Sequence, residues 1–482
     1  MLMPEATSLS INSHSQSFLC HGNLLCFFSF RKDTPNGFSH LELIVTIRLC
    51  VFLEFSCYFP KEKSYICKNL TNIEVKSMIL EFCVTNFLSI KDELKLSFVA
   101  TPLKESFTEP NDLFELADTD ISLVRSAVIY GANASGKSNV LKAFAFYKRF
   151  ITDSFKDSQV GESIDVENFR LNATSIDEPT ALEATFTDGE YIYRYGFEVE
   201  SKSVKEEWLY RRVCKKRARE VEMFYREGDT ATVHPKNQLL LELVAKKMVR
   251  SNALLLSTAA QFNETIAVSV LHWLGNTQVL FCSEDEVLWQ NAIKHLDDET
   301  LRERITSFAK YADLGIENIT KLDNRIVSSH RQYDDEGREV NNVSFAFNRN
   351  ESEGTVKYFS LAYPIIDALD NGKRVVIDEL DSKLHPLLVK KIIALFNDAQ
   401  TNPKGAQLLF TAHDTYLLSA GLFRRDQVWF TQKDSFGATE LYSLVEYKVR
   451  STSPFEKDYL LGKYGATPLI GEMESIFNSS KQ

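Results

Sequence analysis

Gly131-Ala132-Asn133-Ala134-Ser135-Gly136-Lys137-Ser138 follows the pattern GxxxxGK[ST], in which glycines let successive backbone N–H groups close around the phosphates of a nucleotide. Lys137, expected to face solvent in the empty site, would reach the β- and γ-phosphates, and the Ser138 hydroxyl would ligate Mg2+. Gly131, Asn133, Gly136 and Asn139 complete the stretch that would line the nucleotide. A second chemical element lies far downstream at Arg374-Val-Val-Ile-Asp378-Glu379, an apolar run ending in paired carboxylates. Beside a phosphate loop, the first carboxylate of such a pair holds the Mg2+ shell and the second orients and deprotonates the attacking water. Asp378 is therefore the candidate metal residue and Glu379 the candidate base, although two solvated acids at the end of a strand are common on any surface. A third run, Gln407-Leu-Leu-Phe-Thr-Ala-His413-Asp414, again ends an apolar stretch in polar residues. A lone histidine is more often structural; beside the other two runs, His413 reads as a contact for the γ-phosphate.

These side chains meet only if the surrounding elements deliver them to one edge. Ala127, Val128 and Ile129 form a short buried-strand run before the glycine loop, and Val140, Leu141, Phe144 and Tyr147 recur after it at helical spacing. Strand, loop and helix thus follow in the order the phosphate pattern requires. Upstream, Leu80, Phe82 and Val84, then Leu94, Leu96 and Phe98, alternate with polar residues as half-buried strands do. Residues 162–226 read as strands and hairpins, with Asp188-Gly189 as a turn, and 237–312 as mostly helical. Strand-like stretches return near Ile319 to Val327 and Val343 to Phe347, after which helix and buried strand alternate to about residue 431. The pattern predicts an α/β fold of P-loop NTPase type with a β-rich N-terminal part and a helical insertion.

With these residues in order, the chain resembles the ABC-type ATPase heads of the SMC and abortive-infection class, with an AAA-type core. In that resemblance Gly131 to Ser138 is Walker A, Val375 to Glu379 is Walker B, Leu380-Asp381-Ser382 is a D-loop and His413 is the switch histidine. Glu351-Ser352-Glu353-Gly354-Thr355 stands where the signature segment belongs, with Glu353 at a glycine position of the LSGGQ form. Ser352 and the amides around Gly354, at a helix N-terminus, would suit a phosphate presented by a second subunit; an ordinary serine N-cap is the other reading. Gln261 is the candidate Q-loop residue near the metal, a structural glutamine at a helix start being equally in keeping with its context. The likeness narrows to bacterial restriction-linked and abortive-infection ATP-binding proteins through Asp378-Glu-Leu-Asp-Ser-Lys-Leu-His-Pro386, Arg424-Arg-Asp-Gln-Val-Trp-Phe430 and Tyr459-Leu-Leu-Gly-Lys-Tyr-Gly-Ala466. It implies ATP and Mg2+ as cofactors, ATP hydrolysis, a head-to-head dimer or higher oligomer, and control of a separate effector protein in phage defence.

Composition narrows the rest. Hydrophobic residues make up 44% and charged residues 25%, near the soluble average. The formal charge of −11 means the whole molecule is not built to coat nucleic acid or anionic lipid. Cysteines show no zinc-type spacing, and isolated thiols fit a reducing, cytoplasmic setting. Residues 1–77 differ in texture and are expected to be an upstream extension without a stable fold. A membrane span over residues 41–59 is disfavoured by Glu42, Arg48 and Glu54 within it. The expected divisions are 1–77, a Walker A lobe over 78–236, a helical insertion over 237–340, and a lobe with signature, Walker B and switch histidine over 341–482. Sustained heptads are absent between 140 and 350, so coiled-coil arms are not expected. Arg211, Arg212, Lys215, Lys216, Arg217 and Arg219 could track a nucleic-acid backbone, whereas the neighbouring glutamates point to a solvated hairpin. A DNA-stimulated repair or recombination ATPase and a scaffold using ATP only as glue are the rival functions.

Overall fold

The computed structural model describes residues 16–21, 24–29, 77–103, 113–157, 161–281, 284–312, 315–322, 325–419, 421–450 and 452–468. The chain divides between Ile73 and Glu74. In the first unit the described part is one antiparallel pair, Gln16–His21 with Leu24–Ser29. The rest of the expected extension up to residue 76, including residues 41–59, lies outside the described residues.

The second unit is built on a six-stranded sheet in the order Thr277–Leu280, Arg374–Ile377, Gln407–Thr411, Ser126–Gly131, Val428–Lys433, Thr439–Ser443. The first five strands run parallel and only the last pair is antiparallel. Parallel strands are covered on both faces, which is why these segments read as unbroken apolar runs rather than as alternation. Within them the period of two still sorts the side chains. Ala127, Ile129, Val376, Leu409 and Trp429 pack to one face. Val128, Tyr130, Val375, Leu408 and Phe430 pack to the other, against Val389, Ile392 and Phe396 of the helix Pro386–Asn397.

On the first face lies the helix Lys137–Asp157, whose Val140, Leu141, Phe144, Tyr147 and Ile151 are buried at helical spacing. Its far side is roofed by a seven-stranded antiparallel sheet that starts at Met78–Thr85 and includes Thr180–Thr187, Tyr191–Val199 and Val204–Val213. Phe82 meets Phe144 edge-on with ring centroids 4.9 Å apart, and Tyr147 stacks on Phe197 at 5.6 Å. The phosphate-loop helix is thus held between two sheets in one continuous apolar core. The α/β P-loop fold class is the one observed, with the β-rich N-terminal part as its roof.

Two sequence expectations need correction in detail. Helices occupy only 238–309 of the stretch 237–340; Ile316–Leu322, Arg325–Tyr333 and Glu339–Ala346 form a three-stranded antiparallel sheet. The division at 340/341 therefore falls inside a strand. That strand is exposed along most of its length and carries Glu339, Asn341, Asn342 and Ser344, so it offers little of the apolar alternation by which strands are recognised. At the other end, Ser77 belongs with the folded unit, since its carbonyl and hydroxyl accept from the buried Arg374 guanidinium at 2.7 and 3.0 Å. Among the described residues no helix is long and apolar enough to cross a membrane.

One buried polar cluster ties the roof to the helices that follow it. Glu207, fully buried, accepts from the amides of Leu255 and Leu256 at 2.6 and 2.9 Å, from the Tyr195 hydroxyl at 2.9 Å, and faces the Arg226 guanidinium at 3.4 Å. Removing one partner of such a pair leaves the other charge buried. Glu207→Ala is therefore expected to destabilise by about 3–5 kcal/mol, read from the urea unfolding midpoint. A loss below about 1 kcal/mol, the value of an exposed pair, would show that the cluster relaxes into water.

Candidate active site

The strands Ser126–Gly131, Arg374–Ile377 and Gln407–Thr411 end side by side, and their C-terminal ends open onto a cleft of about 920 Å3. Open α/β sheets bind ligands at this edge. The cleft is lined by the loop 133–139 on one side and by Glu379, Asp381, Ser382, His413 and Asp414 on the other. Of the sequence-derived candidates, Asn133, Gly136, Lys137, Ser138, Asn139, Glu379 and His413 line it directly.

The loop owes its shape to partners remote in sequence. Gly136 has φ +109°, and a Cβ there would lie 2.2 Å from Thr439 Oγ1. Thr439 donates to the Ser135 carbonyl at 2.9 Å and shares a 2.8 Å hydrogen bond with Ser89. Asn139 in turn donates to Ser89 at 2.6 Å, while Ser135 and Thr431 hydroxyls meet at 2.7 Å. A hairpin at the edge of the central sheet and the turn at Ser89 therefore buttress the loop from behind.

Lys137 differs from the expectation of a solvent-facing side chain. It is only 5% exposed, and its ammonium donates to the carbonyls of Gly131 at 2.7 Å and Ala132 at 3.1 Å. The ammonium is thus satisfied by the loop it springs from. Burial pushes its pKa down, opposed by the charges of Glu379, Asp378 and Asp381.

Across the cleft, Ser138 Oγ donates to Asp378 Oδ1 at 3.1 Å. The same carboxylate oxygen receives the hydroxyl of Thr411 at 2.7 Å, and that hydroxyl accepts the Glu379 amide at 2.6 Å. Glu379 adopts φ +51°, a left-handed conformation that costs a non-glycine residue about 1–2 kcal/mol. Its Oε1 stands 3.5 Å from His413 Nε2. Asp381 Oδ2 accepts the amides of His413 and Asp414 at 2.7 and 2.6 Å, fixing the segment that carries the histidine. Ser138 and Asp378 bring a hydroxyl and a carboxylate together, the hard oxygen donors that suit Mg2+.

The other candidates lie elsewhere. Ser352 caps the helix Glu353–Asn371, accepting the Thr355 amide at 3.0 Å. Gly354 is required by close approach, because a Cβ there would stand 2.7 Å from the Lys383 carbonyl. Neither lines the cleft. They adjoin a smaller cavity of about 330 Å3 bordered by Asp285, Glu351, Glu353, Lys357 and Lys383. Gln261 ends the short helix Leu255–Gln261, is exposed, and is not among the cleft residues. That helix is held by its buried face, Leu255 to Ala259, which leaves its last residue to solvent. Among the described residues no group of three or more His, Cys, Asp or Glu side chains could hold a metal ion by itself.

Residues 126–419 match the protein family described as "AAA domain, putative AbiEii toxin, Type IV TA system". The chain belongs to this AAA-domain family. The AAA-domain match runs from the phosphate-loop strand past His413 and leaves out Thr431 and Thr439, which shape the loop from outside it. A search of curated proteins finds no relative of the chain. Among solved structures it is similar to the SMC head domain from Thermotoga maritima, at 12% identity and TM-score 0.36 over 76% of this chain and 98% of that one. It is also similar to an SMC head derived from Pyrococcus furiosus with an extended coiled coil, bound to the C-terminal domain of ScpA, at 11% identity and TM-score 0.33 over 80% and 99%. A third likeness is to the recombination mediator protein RecF with ATP, at 13% identity and TM-score 0.26 over 77% and 99%.

The residues missed from sequence are Thr411, Ser89, Thr431 and Thr439. Only Thr411 carried a usable signal, a single hydroxyl that follows Leu408, Leu409 and Phe410 at the end of its strand, two residues before His413. Gly136→Ala tests the loop shape, since neither the space nor the positive φ admits a side chain. ATP affinity is expected to fall about tenfold or more, equivalent to at least about 1.4 kcal/mol, in a fluorescent-nucleotide titration. Unchanged affinity would mean that Thr439 does not set the loop.

Proposed function

We propose that this AAA-domain protein binds ATP with Mg2+ in the 133–139 cleft and hydrolyses it, using nucleotide-dependent self-association to control an effector. The observation that carries the reading is the pairing of Glu379 with His413 at 3.5 Å on the wall opposite the phosphate loop. A protein that used ATP only as glue would not need a carboxylate held at that position.

In this reading the loop amides and the Lys137 ammonium bind the β- and γ-phosphates, the lysine leaving the Gly131 and Ala132 carbonyls for the incoming oxygens. Ser138 and Asp378 would hold Mg2+, which when bound neutralises charge developing on the phosphates. Glu379 accepts the proton of the attacking water, and His413 stands where it can orient that water or the γ-phosphate. Ser352 and Gly354, outside the cleft of their own chain, would serve the nucleotide of a second copy in a head-to-head dimer or higher oligomer. The printed family description, with its toxin and toxin–antitoxin terms, supports a defence role, acting in the cytoplasm through a separate effector.

A DNA-stimulated repair or recombination ATPase is the second reading. It would use the hairpin after Val204–Val213, where Lys215, Arg217 and Arg219 are exposed. Two further cations of that hairpin are already engaged, Arg211 over the Tyr191 ring at 4.6 Å and Lys216 with Asp120 at 2.5 Å. DNA-stimulated turnover lost on neutralising the exposed three would favour it.

Glu379→Gln keeps the shape of the site and removes the base, so turnover should fall by about 10²–10⁴ while ATP stays bound. The Gln variant should then accumulate as an ATP-dependent dimer in size-exclusion chromatography with light scattering. Full hydrolysis by this variant would remove Glu379 as base. A mass indifferent to Mg-ATP would count against the shared nucleotide.

A further inference from the structure

We infer that Thr411 is the positioning residue that orients the Asp378 carboxylate and fixes the backbone of Glu379, and with them sets the affinity of the site for Mg2+. The inference rests on the ATPase reading above and adds a residue to it.

Thr411 is fully buried at the end of the strand Gln407–Thr411, which lies between the phosphate-loop strand and the Walker B strand. It touches three consecutive residues of the Walker B turn. Its hydroxyl donates to Asp378 Oδ1 at 2.7 Å and accepts the Glu379 amide at 2.6 Å; its carbonyl accepts the Leu380 amide at 3.1 Å. One hydroxyl thus uses its single proton on the carboxylate and a lone pair on the backbone of the neighbouring glutamate. The proton matters for orientation. Asp378 Oδ1 already receives Ser138 at 3.1 Å, and a second donor from the buried side fixes how that carboxylate presents itself to the cleft. The lone pair matters for Glu379, whose left-handed φ of +51° is held by an amide pointing back into the sheet. Losing an outer hydrogen bond that orients a metal ligand typically costs about 10–100-fold in metal affinity or activity. The nearby charged groups, Asp378 at 9% exposure and Lys137 at 5%, are too enclosed for water to take over the hydroxyl's two bonds.

The test compares Thr411→Val, which keeps the shape and removes the hydroxyl, with Thr411→Ser, which keeps the hydroxyl. Three quantities are read on the full chain: affinity for a fluorescent ATP analogue in EDTA, the Mg2+ concentration that half-saturates the Mg2+-dependent gain in that affinity, and kcat. For the Val variant, affinity in EDTA should be unchanged, while the Mg2+ half-saturation rises and kcat falls, each by about 10–100-fold. The Ser variant should stay near the original protein on all three. A Val variant with ordinary Mg2+ response and kcat overturns the inference. So does a Ser variant as impaired as the Val variant, because the methyl and not the hydroxyl would then be what counts. If the Val chain does not fold, Thr411→Ala against Thr411→Ser decides on the same readings, with equal defects overturning the inference. Lys137→Ala separates this from the underlying reading: undiminished hydrolysis by that variant removes the ATPase assignment whatever Thr411 does.

Discussion

Two strand spacings separate the strand that ends in the phosphate loop from the strand that ends in the carboxylates. At about 4.8 Å per spacing, the strand ends stand about 10 Å apart, yet Ser138 and Asp378 are in hydrogen-bond contact at 3.1 Å. They meet because Ser138 sits beyond the strand, in the first turn of the helix Lys137–Asp157, and the intervening strand ends in Thr411, whose hydroxyl bonds to Asp378. The register of three parallel strands is therefore the constraint on which the site depends. A slip of one residue in any of them would turn its side chains to the opposite face, moving Ile129, Val376 or Leu409 out of the core shared with the phosphate-loop helix.

What was legible in the sequence follows from range. Walker A could be read because its chemistry and its context, a strand before and a helix after, lie within one short window. Asp378, Glu379 and His413 could be read because each ends an apolar run, the trace left by a strand covered on both faces. The buttress could not. Ser89 and Thr439 are 350 positions apart, and Ser135 and Thr431 are 296 apart, so no local pattern relates them. The position of Lys137 failed for another reason. Motif reading supplies the ligand-bound role of a residue and says nothing about which carbonyls satisfy it before the ligand arrives. The three-stranded sheet at 316–346 was partly legible: Ile319 on one edge strand and Ile326 on the central strand are buried, whereas the first half of the other edge strand, Glu339 to Asn342, is exposed and polar.

Several left-handed residues stand at or near the cleft. Ala134 at φ +62°, Gly136 at +109°, Glu379 at +51° and Lys383 at +64° all lie in the turns that border it or adjoin the signature segment. Conformations of this kind persist only where the surroundings over-determine them. Here the surroundings are the Thr439 and Ser89 bonds behind the loop, and Thr411 behind the Walker B turn. The turn also reaches the other way, since the Lys383 carbonyl lies against Gly354 closely enough to exclude a side chain. A continuous line of contacts consequently runs from the phosphate loop through Ser138, Asp378 and the Walker B turn to the start of the helix Glu353–Asn371.

Rigidity along that line is not uniform. Thr411 is fully buried and Asp378 is 9% exposed, whereas the side chains of Glu379 and His413 are 41% and 40% exposed. The backbone of Glu379 is fixed from the buried side through its amide, and its carboxylate lies on the cleft side, 3.5 Å from His413 Nε2. A metal-holding carboxylate must keep one geometry, so it is bonded from both sides. In the proposed reading a general base must stand within hydrogen-bond reach of the water it deprotonates, and the Glu379 carboxylate lies on the cleft wall beside His413. Two adjacent acids thereby come to differ in their surroundings, Asp378 bonded to two hydroxyls inside the fold and Glu379 standing 3.5 Å from a histidine on the cleft wall.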